Sequence, residues 1–153
     1  MKVDYSHTVD FLISEFPEFR ETEIFKLFDE EDLKLAHIVW GAFAIHAVER
    51  LKKNGPNDSI VKKLYSFINE QFSNPGSDPK VLELLAVQIF ECFAQDKDSL
   101  DFSRKNAVGK ARHAVEMSLA YTGVDKPDLT IAPEAEKLVQ SIKDWNNKQS
   151  KRE

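Results

Sequence analysis

The stretch "LAHIVWGAFAIHAVERL" (Leu35–Leu51) places apolar residues at nearly every angle of a helical wheel turned by about 100° per residue. A helix of that kind is enclosed by neighbours; it has no single wet face to lay against solvent. "VLELLAVQIFECFA" (Val81–Ala94) reads the same way. A chain of 153 residues is long enough to bury a hydrophobic core, and two such segments imply an assembly packed around two central helices. No run alternates apolar and polar residues for long enough to suggest a strand. The expected fold is all-α: a single-domain helical bundle, or a short helical-repeat-like array, of about six to seven helices.

The breakers are grouped. "NGPNDS" (Asn54–Ser59), "SNPGSDP" (Ser73–Pro79), "QDKDS" (Gln95–Ser99) and "TGVDKPDLTIAP" (Thr122–Pro133) are the expected loops. They leave helices near 7–15, 17–28, 30–53, 59–72, 79–95, 100–122 and 133–147, the first two readable as one helix kinked at Pro17. Asp78 before Pro79 is an expected N-cap, Asp29 offers a cap to the helix beginning at 30, and Gly123 fits a left-handed helix stop. The apolar period is lost after Trp145, so a domain spanning 1–147 is expected to end in a frayed tail, 148–153.

"AIHAVE" (Ala44–Glu49) and "ARHAVE" (Ala111–Glu116) share five of six letters at a distance of 67 residues. "IFKLF" (Ile24–Phe28) precedes the first and "IFECF" (Ile89–Phe93) the second, and Asp32–Leu33 falls in step with Ser99–Leu100. Two three-helix units, 17–72 and 79–147, related by duplication would explain this, as would the ordinary reuse of Ala, Val, Glu and Phe in helices. A duplication assigns no activity.

The formal net charge of −5 is unevenly placed. Glu15, Glu18, Glu21, Glu23 and "DEED" (Asp29–Asp32) crowd the first quarter, whereas Arg104, Lys105, Lys110 and Arg112 form a basic patch later. Nucleic acid is disfavoured as a ligand, since affinity for phosphate comes from Lys and Arg. A basic protein partner suits the acidic segment, although such clusters also simply solvate helix starts. The early acidic residues argue against an export signal, and no stretch approaches the roughly 20 apolar residues of a membrane span. A single cysteine allows no internal disulfide, so a cytoplasmic location is expected. The sequon at Asn57 then reads as a turn.

His46-Ala-Val-Glu49 and His113-Ala-Val-Glu116 each put an imidazole and a carboxylate on one helix face. Brought together, His46, Glu49, His113 and Glu116 would supply the donors of a helical metal site, related to the inventory of ferritin-like di-iron bundles. The order of His and Glu is reversed from that pattern, and Lys26 stands where symmetry with Glu91 asks for a carboxylate. The competing reading is a pair of local ion pairs, with no cofactor. His37 lies opposite His46 on the wheel, so one faces the core and the other a groove. Cys92, in the most apolar helix, reads as a small buried hydrophobe. Glu83 and Glu91 share one edge of that helix, as paired carboxylates or as its wet face. No phosphate-binding loop, nucleophile elbow or metalloprotease motif occurs, and no enzyme activity is expected.

At "FLISEFPEF", "LAHIVWGAFAIHAVERL" and "VLELLAVQIFECFA" the chain resembles small, acidic, all-helical bacterial proteins, some of which act as immunity proteins in contact-dependent or polymorphic toxin systems. The resemblance spans residues 10–122 and rests on helix pattern and size. It implies a non-enzymatic binding module made in the cytoplasm that neutralises a toxin domain, often a basic nuclease, by covering it. The contacts are then expected at Glu18, Glu21, Glu23, Asp29, Glu30, Glu31 and Asp32, chosen by charge placement alone. The alternatives are the metalloprotein built on the two His-Ala-Val-Glu segments and a homo-oligomeric scaffold or regulator.

Overall fold

Helix α1 (Thr8–Glu15) stops where Phe16 leaves helical geometry, at φ −126° and ψ 63°, one residue ahead of Pro17. Proline crowds the residue before it out of the helical region, so the expected kink is a complete break. This computed structural model describes residues 2–152, so residues 1 and 153 of the expected domain and tail lie outside the described part.

The chain from 17 to 34 departs most from expectation. In place of a long helix it forms a 3-10 turn (Pro17–Glu21), the short α2 (Glu23–Lys26) and a second 3-10 turn (Asp32–Lys34). Thr22 caps α2 by accepting from the Phe25 N–H. Asp29 does not cap a long helix. The Asp32 N–H donates to its side chain at 2.8 Å, and its own N–H donates to the Asp32 carboxylate at 3.1 Å, which closes a local turn. Helix α3 (Ala36–Asn54) therefore starts six residues after the expected position.

Asp58 caps α4 (Ser59–Ser73), and Asp78 caps α5 (Pro79–Leu85) as expected. Helix α5 runs through a π-helical turn (Ala86–Phe90) into α6 (Glu91–Phe93). The single helix expected over 100–122 is two: α7 (Lys97–Asn106) and α8 (Gly109–Thr122). Ala107 and Val108 are extended, and Gly109 takes a positive φ of 54° that a side chain would disfavour. Asn69 on α4 bridges the break. Its amide donates to the Asn106 carbonyl and its oxygen accepts from the Val108 N–H, both at 2.9 Å. Gly123 ends α8 in the left-handed conformation. Helix α9 (Ala135–Arg152) continues through the residues expected to fray, where Lys148, Gln149 and Lys151 are good helix formers.

The architecture is an all-helical bundle, with no strand among the described residues. Helix α3 is its axis, with Trp40 and Phe43 fully buried against the rings of Phe16, Phe19 and Phe67, but it is not enclosed all round as expected: Ile38, Ile45 and Glu49 form a stripe open to solvent. A second aromatic group surrounds Tyr65, whose hydroxyl donates to Ser103 Oγ at 2.7 Å. One contiguous cluster of buried side chains extends from Val3 to Val115. A Cβ at Gly41 would come within 2.8 Å of the Gln88 side-chain oxygen on the π turn, so the glycine leaves room for that side chain over α3. Helix α9 stays outside this core and is held on α8 by a small separate cluster around Ala120, Ala132 and Ala135.

The third helices of the two expected repeat units differ. A short turn at Gly55–Asp58 returns α4 antiparallel to α3. The loop after Gly123 instead runs back along α8, so α9 starts beside His113 and advances in the same general direction as α8.

Candidate functional site

The segment from Phe16 to Lys34 is attached to α3 by aromatic rings. Phe16 and Phe19 contact Phe43 at centroid distances of 4.8 and 5.2 Å, Phe25 meets Phe19, and Phe28 meets Phe25. Lys63 on α4 fastens its start: it pairs with Glu15 at 3.5 Å, donates to the Glu15 carbonyl and lies over the Phe16 ring. With Ile24, Phe25 and Phe28 turned inward, the remaining letters of "IFKLF" face out. Leu27 is 82% exposed, a large apolar side chain standing in solvent between the exposed Glu23 and Lys26 on one side in sequence and Asp29 and Glu30 on the other.

The seven acidic residues expected to bind a partner divide into three groups. Glu21, Glu23 and Glu30 are exposed and make no ion pair among the described residues. Glu31 is exposed and pairs only with the equally exposed Lys34 at 3.1 Å, an interaction worth little in water. Asp29 and Asp32 build the turn described above, and Glu18 is half-buried with Oε1 enclosed and unpaired. Charge placement in the sequence does not show this division: some of these carboxylates are free and others are used by the fold.

His46 lies behind this lobe, its ring 5.9 Å from Phe19 and 6.1 Å from Phe43, with Nε2 enclosed and unpaired. Burial holds it below the usual histidine range and Arg50 adds to this, against opposing influences of Glu49, Glu18 and Asp58. Glu49 is exposed. His113 bonds Glu134 at 3.0 Å.

Glu116 is fully buried. Arg104 reaches both of its oxygens at 2.9 and 3.1 Å, Arg112 donates at 2.9 Å, and the Asp128 N–H donates at 2.8 Å. Burial raises the Glu116 carboxyl, but the bonds from Arg104, the Asp128 N–H and Arg112 outweigh it and hold the group below the usual carboxylate range. Arg104 also binds Asp125 and the Lys126 carbonyl, so the hub ties the loop after α8 to α7. Two guanidiniums leave no room in charge or lone pairs for a metal cation at this carboxylate. Of the four residues of the alternative metal set, His113 is taken by Glu134 and Glu116 by the arginines, while His46 is enclosed and Glu49 stands in solvent; no group of three or more His, Cys, Asp or Glu among the described residues is placed to hold a metal ion. Nor is the sequence stretch from Arg104 to Arg112 a free basic patch, because its two arginines point at Glu116 while only Lys105 and Lys110 are exposed.

An open cleft of about 420 Å³ lies between the N-terminal turn, α3 and α5, lined by His37, Glu83, Val87 and Gln88 among others. Glu91 does not share it. The π turn intervenes, and burial raises the Glu91 carboxyl. Burial also raises the half-buried Cys92 thiol, with Asp96 acting in the same direction. No described helix is long and apolar enough to cross a membrane.

Comparison with protein-family models gives no match, and neither curated proteins nor solved structures match the chain.

Proposed function

We propose that the protein is a non-enzymatic binding module whose Leu27-centred acidic surface docks a basic protein partner, most concretely a toxin domain that it neutralises by covering it. The observation that carries this reading is the 82% exposure of Leu27 beside the unpaired carboxylates of Glu21, Glu23 and Glu30. An exposed leucine costs a folded protein nothing by itself. An exposed leucine ringed by charge on a segment whose other apolar residues are all tucked inward is the pattern of an interface anchor with a polar rim. The carboxylates would steer a cationic partner and lose that effect with salt.

The segment's irregular backbone supports the same reading. Its 3-10 turns expose side chains in directions a continuous helix would not, while the Phe16, Phe19 and Phe25 rings keep it rigidly seated on α3. A preorganised surface loses less entropy on binding than a loose one.

Tagged protein purified gently in low salt tests this by mass spectrometry. The expected result is a basic polypeptide at fixed stoichiometry, retained by wild type and lost by the Glu21→Lys, Glu23→Lys, Glu30→Lys triple variant with an unchanged unfolding midpoint. A partner retained equally by that folded variant would refute the surface.

A further inference from the structure

A second surface has the opposite character. Helices α8 and α9, advancing together, leave a groove of about 470 Å³ whose floor includes Leu119, Val139 and Ile142 and whose rim carries Lys126 and Lys143. Tyr121 lines the groove and is 69% exposed, and Trp145, next to the lining residue Asn146 on α9, is 62% exposed. Lys148 follows Trp145 by one turn and is exposed. Neither rim lysine makes a side-chain ion pair among the described residues; the one rim carboxylate, Asp125, is engaged by Arg104. The groove is therefore apolar below and cationic above, whereas the lobe around Leu27 is a single exposed apolar side chain with the free carboxylates of Glu21, Glu23 and Glu30 and one exposed lysine, Lys26, close in sequence.

We propose that the groove between α8 and α9 of one copy receives Leu27 of a second copy, with Glu23 and Glu30 of the incoming lobe facing Lys126 and Lys143. This rests on reading the acidic lobe as a docking surface and names a second occupant class for it. The choice of a copy of this chain over an unrelated partner follows from complementarity of charge and apolar character: an isolated leucine meets a groove of leucine, valine and isoleucine, and unpaired carboxylates meet unpaired lysines. Within one chain the pairing is unmade, since Leu27 remains in solvent. The two surfaces differ, so each copy carries one lobe and one groove, and the contact either propagates head to tail or closes on itself.

That asymmetry gives a test. Sedimentation at rising concentration in low salt should show wild type exceeding its monomer mass of 17.5 kDa, with the excess lost in high salt. Leu27→Glu breaks only the lobe, and Lys126→Glu with Lys143→Glu breaks only the groove; each should be monomeric alone with a wild-type unfolding midpoint. Mixed, they retain one intact lobe and one intact groove between them, and should form a 1:1 pair that grows no further. Wild type at the monomer mass throughout, assembly that survives in either variant, or a mixture that stays monomeric would each overturn the proposal. A monomeric wild type that still loses a basic partner through Leu27→Glu would overturn self-docking and leave the function above standing.

Discussion

The two His-Ala-Val-Glu segments hold the same letters in opposite settings. Glu116 on α8 is wholly buried between two arginines, whereas Glu49 on α3 stands in solvent. The deciding residues lie outside the shared letters. Arg112, one turn before Glu116, donates to it, and the residue at that place in the first segment is Ile45, 47% exposed. Arg104, twelve residues before Glu116, has His37 as its counterpart, which faces the cleft beside Glu83. A carboxylate is buried where cations converge on it, and the motif around it has no say. The first half solves the same problem elsewhere: the buried Asp58 takes Arg50 at 2.9 Å, Asn54 at 2.8 Å and the first N–H groups of α4.

Removing the buried carboxylates should break this contrast most sharply. Glu116→Ala takes from two guanidiniums the carboxylate they share and leaves them only their outer partners, and is expected to cost about 3 kcal/mol in urea unfolding, against less than about 0.5 kcal/mol for Glu49→Ala. A similar cost at both positions would erase the distinction. Asp58→Ala removes a cap and an ion pair together and should cost about 2 kcal/mol. Arg112→Ile makes the second segment resemble the first; losing one charged bond to Glu116 is expected to cost about 1.5 kcal/mol. The converse, Ile45→Arg, adds a solvent-exposed pair with Glu49 and should gain no more than about 0.5 kcal/mol.

Acid sharpens the same comparison. The carboxyls of Glu116 and Asp58 lie below their ordinary values in the folded chain, Asp58 because Arg50, Asn54 and the Val61 N–H outweigh its burial. On acidification the unfolded chain binds protons first, so stability present at neutral pH is lost as pH falls through the usual carboxylate range toward the folded values. Glu116→Gln should flatten that loss in urea midpoints measured against pH.

The all-helical fold was legible because α3 and α5 carry apolar residues all round, and the caps at Asp78 and Gly123 because each is local chemistry. The break between α7 and α8 was not, since the amide that satisfies it comes from Asn69 on another helix. The lobe misled for a related reason. "DEED" reads as a helix start, but Asp29 and Asp32 bond each other's backbone and consume the cap. Leu27 was passed over because charge drew attention to its neighbours, although the pattern Ile24, Phe25, Phe28 already left position 27 outside. The arginines of the basic patch pointed inward because a buried carboxylate four residues from Arg112 was waiting for them.

Paired charges hold this fold together, and the proposed function gives the unpaired ones to binding. Leu27→Glu measured twice, by urea unfolding and by titration with the co-purified basic partner, tests that division most directly. The predicted result is an unfolding free energy within about 0.5 kcal/mol of wild type together with an affinity lowered by about 10- to 100-fold. A variant that unfolds more easily, or that binds the partner as wild type does, would contradict it.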